Sequence, residues 1–250
     1  FCSSSNEILM RVLAVIPARY ESTRYPGKPL IDLAGKTMIH RVYEGVQKSN
    51  LISKVIVATD DQRIVDEVKS FGGEVAMTGS HHVNGTGRCL ELASALDSFD
   101  VVINVQGDEP LIRSEQLDAL IQSFQDNSVD ISTLAIASSS KSDFLNENRI
   151  KVVMDVNSDV LYFSRSPIPK QFKTKNPVSF YKHIGIYAFR RDVLLETQNM
   201  EPCAIELSES LEQLRWMYYG KKIRIVLTNV ETPNIDSPED VDKVIRLLQV

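Results

Sequence analysis

The sequence predicts an α/β protein built on a mostly parallel sheet with helices on both faces. Three observations carry that prediction. Short apolar runs alternate with stretches of helical periodicity from residue 11 to the end, which calls for crossover connections between parallel strands. No Gly/Ser or Pro/Thr linker and no internal repeat interrupts the 250 residues, so they read as one domain. Hydrophobic residues make up 43% of the chain and charged residues 24%, the mix of a protein with a buried core rather than a disordered tail, a fibre or a coiled-coil rod.

Each element follows from its local pattern. Residues 11–16 form a strand-like run, apolar from Val12 onward and ended by Pro17, as a strand buried on both faces requires. The spacing of Met38, Ile39, Val42 and Val46 predicts a helix over 37–48, and Ile64, Val65 and Val68 predict another over 61–71. Residues 55–58, 74–77 and 101–105 read as strands, the last followed by a helix over 114–125. Beyond residue 130 the pattern is less regular. It gives strands at 152–154, 160–163 and 183–189, an amphipathic helix over 207–219, a strand at 223–227 and a helix after Pro238. Residues 166–178 form a Pro- and Lys-rich excursion, and 155–185 reads as a projecting subdomain or dimerisation arm of a domain spanning 11–250. Met10 stands just before the first strand and marks the expected start, leaving residues 1–10 as a non-native or disordered extension.

Charge and cysteine usage exclude several function classes. Lys plus Arg number 28 against 33 Asp plus Glu, a net charge of −5, which speaks against general nucleic-acid binding on a basic surface. No apolar run approaches the roughly 20 residues needed to span a bilayer. Cys2, Cys89 and Cys203 are odd in number and without metal-ligand spacing, so they read as free thiols in a reducing compartment. The first residues lack a basic region followed by a long apolar stretch, so no secretory signal is expected and a cytoplasmic location is.

Candidate chemistry sits in the loops that follow the strands. The first strand empties into 17–30, which carries Arg19, Arg24 and Lys28 with Gly27 at a turn. Ligands of open parallel sheets bind beyond the carboxyl ends of strands, and a polyphosphate needs cations and exposed N–H groups there. Neither the P-loop nor the G-x-G-x-x-G fingerprint is present, and a solvated basic loop is the plain alternative. A second loop, 78–88, puts Gly85 and Arg88 at a predicted helix start, where free N–H groups suit an anion or a base edge. Its His81-His82 pair reads as a polar loop or substrate contact, or else a metal site without a spaced third ligand. The strand at 101–105 ends in Gln106-Gly107-Asp108-Glu109-Pro110. A carboxylate at such a tip suits Mg²⁺, or caps the next helix. Asp236, just outside a helix start at 237–240, is another candidate ligand.

Several of these segments in fixed order resemble one family, the 3-deoxy-D-manno-octulosonate (Kdo) cytidylyltransferases, or CMP-Kdo synthetases. They are residues 17–30, 106–110, Tyr181-Lys182-His183-Ile184-Gly185-Ile186-Tyr187, Leu211-Glu212-Gln213-Leu214-Arg215 and Asp236-Ser237-Pro238-Glu239-Asp240. The resemblance implies a three-layer α/β/α sandwich of the nucleotide-diphospho-sugar transferase type, usually a homodimer. It implies that CTP and Kdo become CMP-Kdo and pyrophosphate for lipopolysaccharide synthesis. In that reading Arg19 and Lys28 bind the triphosphate, while Thr78, Gly85, Thr86 and Arg88 lie in the cytidine-recognising loop. Gln106 borders both substrates, Asp108 and Asp236 hold Mg²⁺, and Arg165, His183, Tyr187, Glu209 and Gln213 line the sugar-acid pocket. From the residues alone, Arg165 is equally a surface ion-pair partner, His183 a hydrogen-bonded core histidine, and Glu209 and Gln213 an i, i+4 pair on one helix. The sequence departs from the family at Gly87, where an acidic residue is usual. An enzyme acting on sialic acid or another 2-keto sugar acid, or a non-catalytic nucleotide-binding homologue, is the alternative.

Overall fold

The computed structural model describes residues 10–21, 25–171, 173, 179–235 and 238–248. The expected extension before Met10, Arg24, Cys2 and Asp236 lie outside the described residues, Met10 itself excepted. In chain order the elements are β1 (Val12–Pro17), α1 (Met38–Gln47), β2 (Lys54–Thr59), α2 (Gln62–Ser70), β3 (Val75–Met77), α3 (Gly85–Ala95), β4 (Val101–Asn104) and α4 (Ser114–Gln122). The chain continues through β5 (Ile131–Ser138), α5 (Lys141–Leu145), β6 (Lys151–Met154), β7 (Val160–Ser164), β8 (Phe180–Arg190) and α6 (Arg191–Glu196). It closes with α7 (Ala204–Glu209), α8 (Gln213–Tyr218), β9 (Ile223–Leu227) and α9 (Val241–Leu248).

The main path of the sheet runs β3-β2-β1-β4-β8-β5-β9. Six of these seven strands point the same way and β8 alone is reversed. The alternation of side chains along β1 divides the core in two. Val12, Ala14 and Ile16 pack with α1, α2 and α4 on one face, while Leu13 and Val15 pack with α3, α6 and α8 on the other. A strand buried on both faces needs apolar residues at every position, and β1 supplies them. Among the described residues no helix is long and apolar enough to cross a membrane.

Two elements depart from the sequence expectation, and both shape the site. β5 lies in a stretch with no predicted strand because Ser132 and Thr133 interrupt its apolar run, yet both are fully buried. Thr133 Oγ1 donates to the carbonyl of Ile186 at 2.7 Å, so a hydroxyl is accommodated inside the sheet by a hydrogen bond. The predicted helix 207–219 is two short helices, because Ser210 takes a left-handed conformation (φ 51°, ψ 49°) and ends α7. Glu209 and Gln213 therefore do not share one helix face. The break lets Leu211 turn into the core, and the Arg215 guanidinium grips the Glu206 carboxylate at 2.7 and 2.5 Å to tie α8 to α7.

β8 holds a second device. Its pairing with β5 shifts register between Thr133 and Leu134, which face Tyr187 and Ile184. Gly185 and Ile186 are thus an insertion in the ladder. His183 and Tyr187 would stand roughly 13 Å apart along a regular strand, but the irregularity brings their ring centroids to 5.3 Å. Trp216, buried on α8, meets the Tyr187 and Phe189 rings edge-on at 5.1 and 5.0 Å. We expect Trp216→Ala to lower the unfolding free energy by about 3–5 kcal/mol in urea titrations followed by circular dichroism. Trp216→Phe should cost less than half of that, and equal losses would remove the aromatic cluster from this account.

Candidate active site

The carboxyl ends of β1 and β4 open onto a cavity of about 330 Å³ walled by the loop after β1, the start of α3 and the turn after β4. Gly27 turns the first loop in a left-handed conformation (φ 72°) that other residues resist. The next residue, Lys28, places its ammonium 2.6 Å from Asp108 Oδ2 and 2.8 Å from the Ile235 carbonyl. The Ile235 N–H donates to the Asp108 carbonyl at 3.1 Å, which brings a third segment to the same point. A Cβ on Gly107 would lie 2.7 Å from the Pro17 carbonyl, so only glycine lets the tips of β1 and β4 approach this closely.

The start of α3 faces this cavity. Asn84 caps it by accepting from the Gly87 N–H at 3.0 Å. Two further bonds anchor it from outside: Asn84 Nδ2 and Thr86 Oγ1 each donate to Glu212 at 2.8 Å. Burial raises the Glu212 pKa against those two bonds. Arg88 is almost wholly buried and bonds Asp60 at 2.9 Å, Thr78 Oγ1 at 2.5 Å and the Gly79 carbonyl at 3.2 Å. It orders the 78–79 turn while forming part of the cavity wall. His82 Nε2 lies 2.5 Å from Glu91, and no group of three or more His, Cys, Asp or Glu among the described residues is arranged to hold a metal. The histidine pair therefore finds no third ligand.

A second cavity of about 370 Å³ shares Gln106 and Asp108 with the first. His183, Tyr187 and Gln213 line it. His183 bonds Thr133 Oγ1 at 2.9 Å and packs between Phe163 and Tyr187. Burial pushes its pKa down to about 3, so it meets a ligand as a neutral imidazole. The Tyr187 hydroxyl is buried with no hydrogen-bond partner among the described residues. Beside Asp108, burial and the neighbouring charge push Glu109 up to about 8, so near neutral pH it is largely a protonated acid.

A family model described as Cytidylyltransferase matches residues 13–223. This chain belongs to the cytidylyltransferase family. Among similar proteins is the 3-deoxy-manno-octulosonate cytidylyltransferase of Parabacteroides distasonis, 46% identical over 96% of this chain and 99% of that protein. The protein of the same name from Geobacter metallireducens is 45% identical over 96% and 98%. A solved CMP:2-keto-3-deoxy-manno-octonic acid synthetase complexed with CTP superposes with a TM-score of 0.92 at 41% identity, over 96% of this chain and 98% of that one. A cytidylyltransferase structure from Leptospira borgpetersenii, at 18% identity and TM-score 0.64, shares the fold.

Against this cytidylyltransferase framework, Arg19, Lys28, Gly85, Arg88, Gln106 and Asp108 meet at the first cavity. Thr78 and Thr86 stand behind it, bonded to Arg88 and Glu212. Arg165 and Glu209 line neither cavity. The Arg165 guanidinium donates to the carbonyls of Glu209, Glu147 and Ser210 at 2.6, 3.1 and 3.2 Å. The Glu209 carboxylate in turn accepts from Ser164 Oγ at 2.7 Å and the Arg165 N–H at 2.9 Å. Sequence reasoning missed Arg149, Lys182 and Lys243, which bring positive charge to the second cavity. Lys182 lay inside the Tyr181–Tyr187 run, and its pairing with Asp143 at 3.3 Å and with Glu231 is visible only in three dimensions.

The neutral state of His183 has a measurable consequence. Its folded pKa of about 3 lies below the ordinary 6.5, so between those values the unfolded chain binds a proton that the folded one refuses. The stability this represents is present above pH 6.5 and is lost as pH falls toward 3, at up to about 1.4 kcal/mol per pH unit. We expect His183→Gln to flatten the acid limb of stability against pH, read from urea unfolding at stepped pH. An unchanged limb would mean that the imidazole is not held neutral.

Proposed function

We propose that this chain transfers the cytidylyl group of CTP to Kdo, releasing pyrophosphate. The observation that carries the reading is the pair of cavities meeting at Gln106 and Asp108 beyond the end of β4. One has the cations and helix start that a triphosphate needs. The other has a buried tyrosine hydroxyl without a partner among the described residues and the polar groups of His183 and Gln213, suited to a polyhydroxylated acid. The high identity to proteins named for this reaction supports the same choice.

In the reaction, the 2-hydroxyl oxygen of Kdo bonds to the α-phosphorus, the α–β anhydride bond breaks, and the hydroxyl proton is released. Arg19 and Lys28 bind the phosphates and offset charge gathering on the departing pyrophosphate. Gln106, at the junction, orients both reactants, and the second cavity fixes the sugar acid so that its hydroxyl faces the phosphorus. The neutral His183 and the Tyr187 hydroxyl serve as hydrogen-bonding groups for the sugar rather than as charges. Two anions repel, so a divalent cation is part of the reading. A cation position beside Asp108 fits the residues present, because the Lys28 ammonium already sits between that carboxylate and the Ile235 carbonyl. Asp108 and Asp236, the residue after Ile235, would hold Mg²⁺, which when bound neutralises phosphate oxygens and acidifies the attacking hydroxyl.

The same reading assigns the enzyme to the cytoplasm, where CTP is made, and to a homodimer. Val156 and Leu161, exposed at 96% and 61% on and beside the β6–β7 hairpin, support that hairpin as the dimer contact, while residues 180–185 of the expected 155–185 arm belong to β8 inside the main sheet. A coupled pyrophosphate assay tests the chemistry. With CTP, Kdo and Mg²⁺ the wild type should turn over, and chelation should abolish release until Mg²⁺ is restored. Asp108→Asn should lower kcat on the order of a thousandfold with an unaltered circular dichroism spectrum. An Asp108→Asn enzyme as fast as wild type would remove Asp108 from the metal.

A further inference from the structure

Arg63 lines neither cavity, yet its guanidinium lies against the loop that carries the phosphate cations. Asp61, the cap of α2, accepts from the Arg63 backbone N–H at 2.9 Å, from its Nε at 2.9 Å and from its Nη2 at 2.6 Å. This fork holds the guanidinium over the Tyr20 ring, with its central carbon 3.2 Å from the ring centroid, well inside the ~6 Å range of cation–π attraction. The Tyr20 ring leads onward to the site. A Cβ on Gly27 would meet that ring at 3.2 Å, so the ring packs directly on the glycine backbone. The Tyr20 carbonyl also accepts from the Gly27 N–H at 2.9 Å. Gly27 has no side chain with which to fix its own left-handed turn, and the residue it orients is Lys28.

We propose that Arg63 is a positioning residue for the triphosphate loop: forked by Asp61 onto the face of Tyr20, it holds that ring against Gly27 and so sets where Lys28 meets the phosphates. It touches no substrate. An exposed ion pair such as Arg63–Asp61 contributes little by itself, so its effect passes through the ring. The assignment of the phosphates to this loop rests on the function proposed above.

Kinetics of pyrophosphate release, with CTP and Kdo varied in turn, test it in Arg63→Ala, Tyr20→Ala, Tyr20→Phe and the double alanine variant. Arg63→Ala should raise the KM for CTP about tenfold, leaving the KM for Kdo and the thermal midpoint as in wild type. Tyr20→Ala should raise the KM for CTP by the same factor while lowering the thermal midpoint, because its ring also packs on the core. The double variant should have a KM for CTP no worse than either single one. Tyr20→Phe, which keeps the ring face, should recover most of the loss. A wild-type KM for CTP in Arg63→Ala, equal losses for both substrates, or losses that add in the double variant would overturn the proposal. Calorimetric binding of tripolyphosphate should weaken by the same factor in Arg63→Ala. It reads the loop even if the wild type fails to release pyrophosphate from CTP and Kdo, an outcome that would sink only the functional reading.

Discussion

One ammonium group joins the parts of this site. Lys28 Nζ bonds Asp108, 80 residues away in sequence, and the Ile235 carbonyl, 207 residues away. The bond to Asp108 is possible because β1 and β4 are parallel neighbours whose ends emerge together and because Gly107 lets the two tips nearly touch. The lysine sets a positive charge against the carboxylate at the tip of a buried strand, and in the function proposed above that pairing lets a divalent cation and a triphosphate enter together.

The second cavity is made by departures from regular structure. The two-residue shift in β8 brings His183 and Tyr187 together on one face. The left-handed Ser210 separates α7 from α8, so that Leu211 and Gln213 reach the second cavity while Glu212 turns back to bond α3. A regular strand and a continuous helix would each have spread these side chains apart. Glu212 thereby joins the wall of one cavity to the start of the helix that faces the other.

How far the sequence could be read follows from what each element leaves visible. β1 and the centres of β2 and β4 are unbroken apolar runs and α1 and α2 keep one apolar face, so their places were legible. β5 was not, because the partner that satisfies Thr133 lies 53 residues further on. Among the candidate residues, those beside strand ends meet at the first cavity, since an open parallel sheet leaves few places for an anion. Resemblance assigns Arg165 and Glu209 to a sugar pocket; in the structure they line neither cavity and bond each other and nearby carbonyls. Arg149 and Lys243 carry no local signature, because α5, β6 and α9 become neighbours of the pocket only through folding.

The ionisation states of neighbouring groups show why the second cavity is costly to maintain. Glu109, with a folded pKa near 8 against an ordinary 4.5, binds a proton that the unfolded chain has released, so its burial penalises the fold increasingly as pH rises between those values. His183 does the reverse as pH falls from 6.5 toward 3. Both shifts come chiefly from desolvation, and both leave the buried group uncharged. Near neutral pH Glu109 therefore adds no full negative charge beside Asp108, because it keeps its proton. The uncharged Glu109 acid and His183 imidazole, which stand in one cavity wall with Arg149, Lys182 and Lys243, are thus consequences of the same burial.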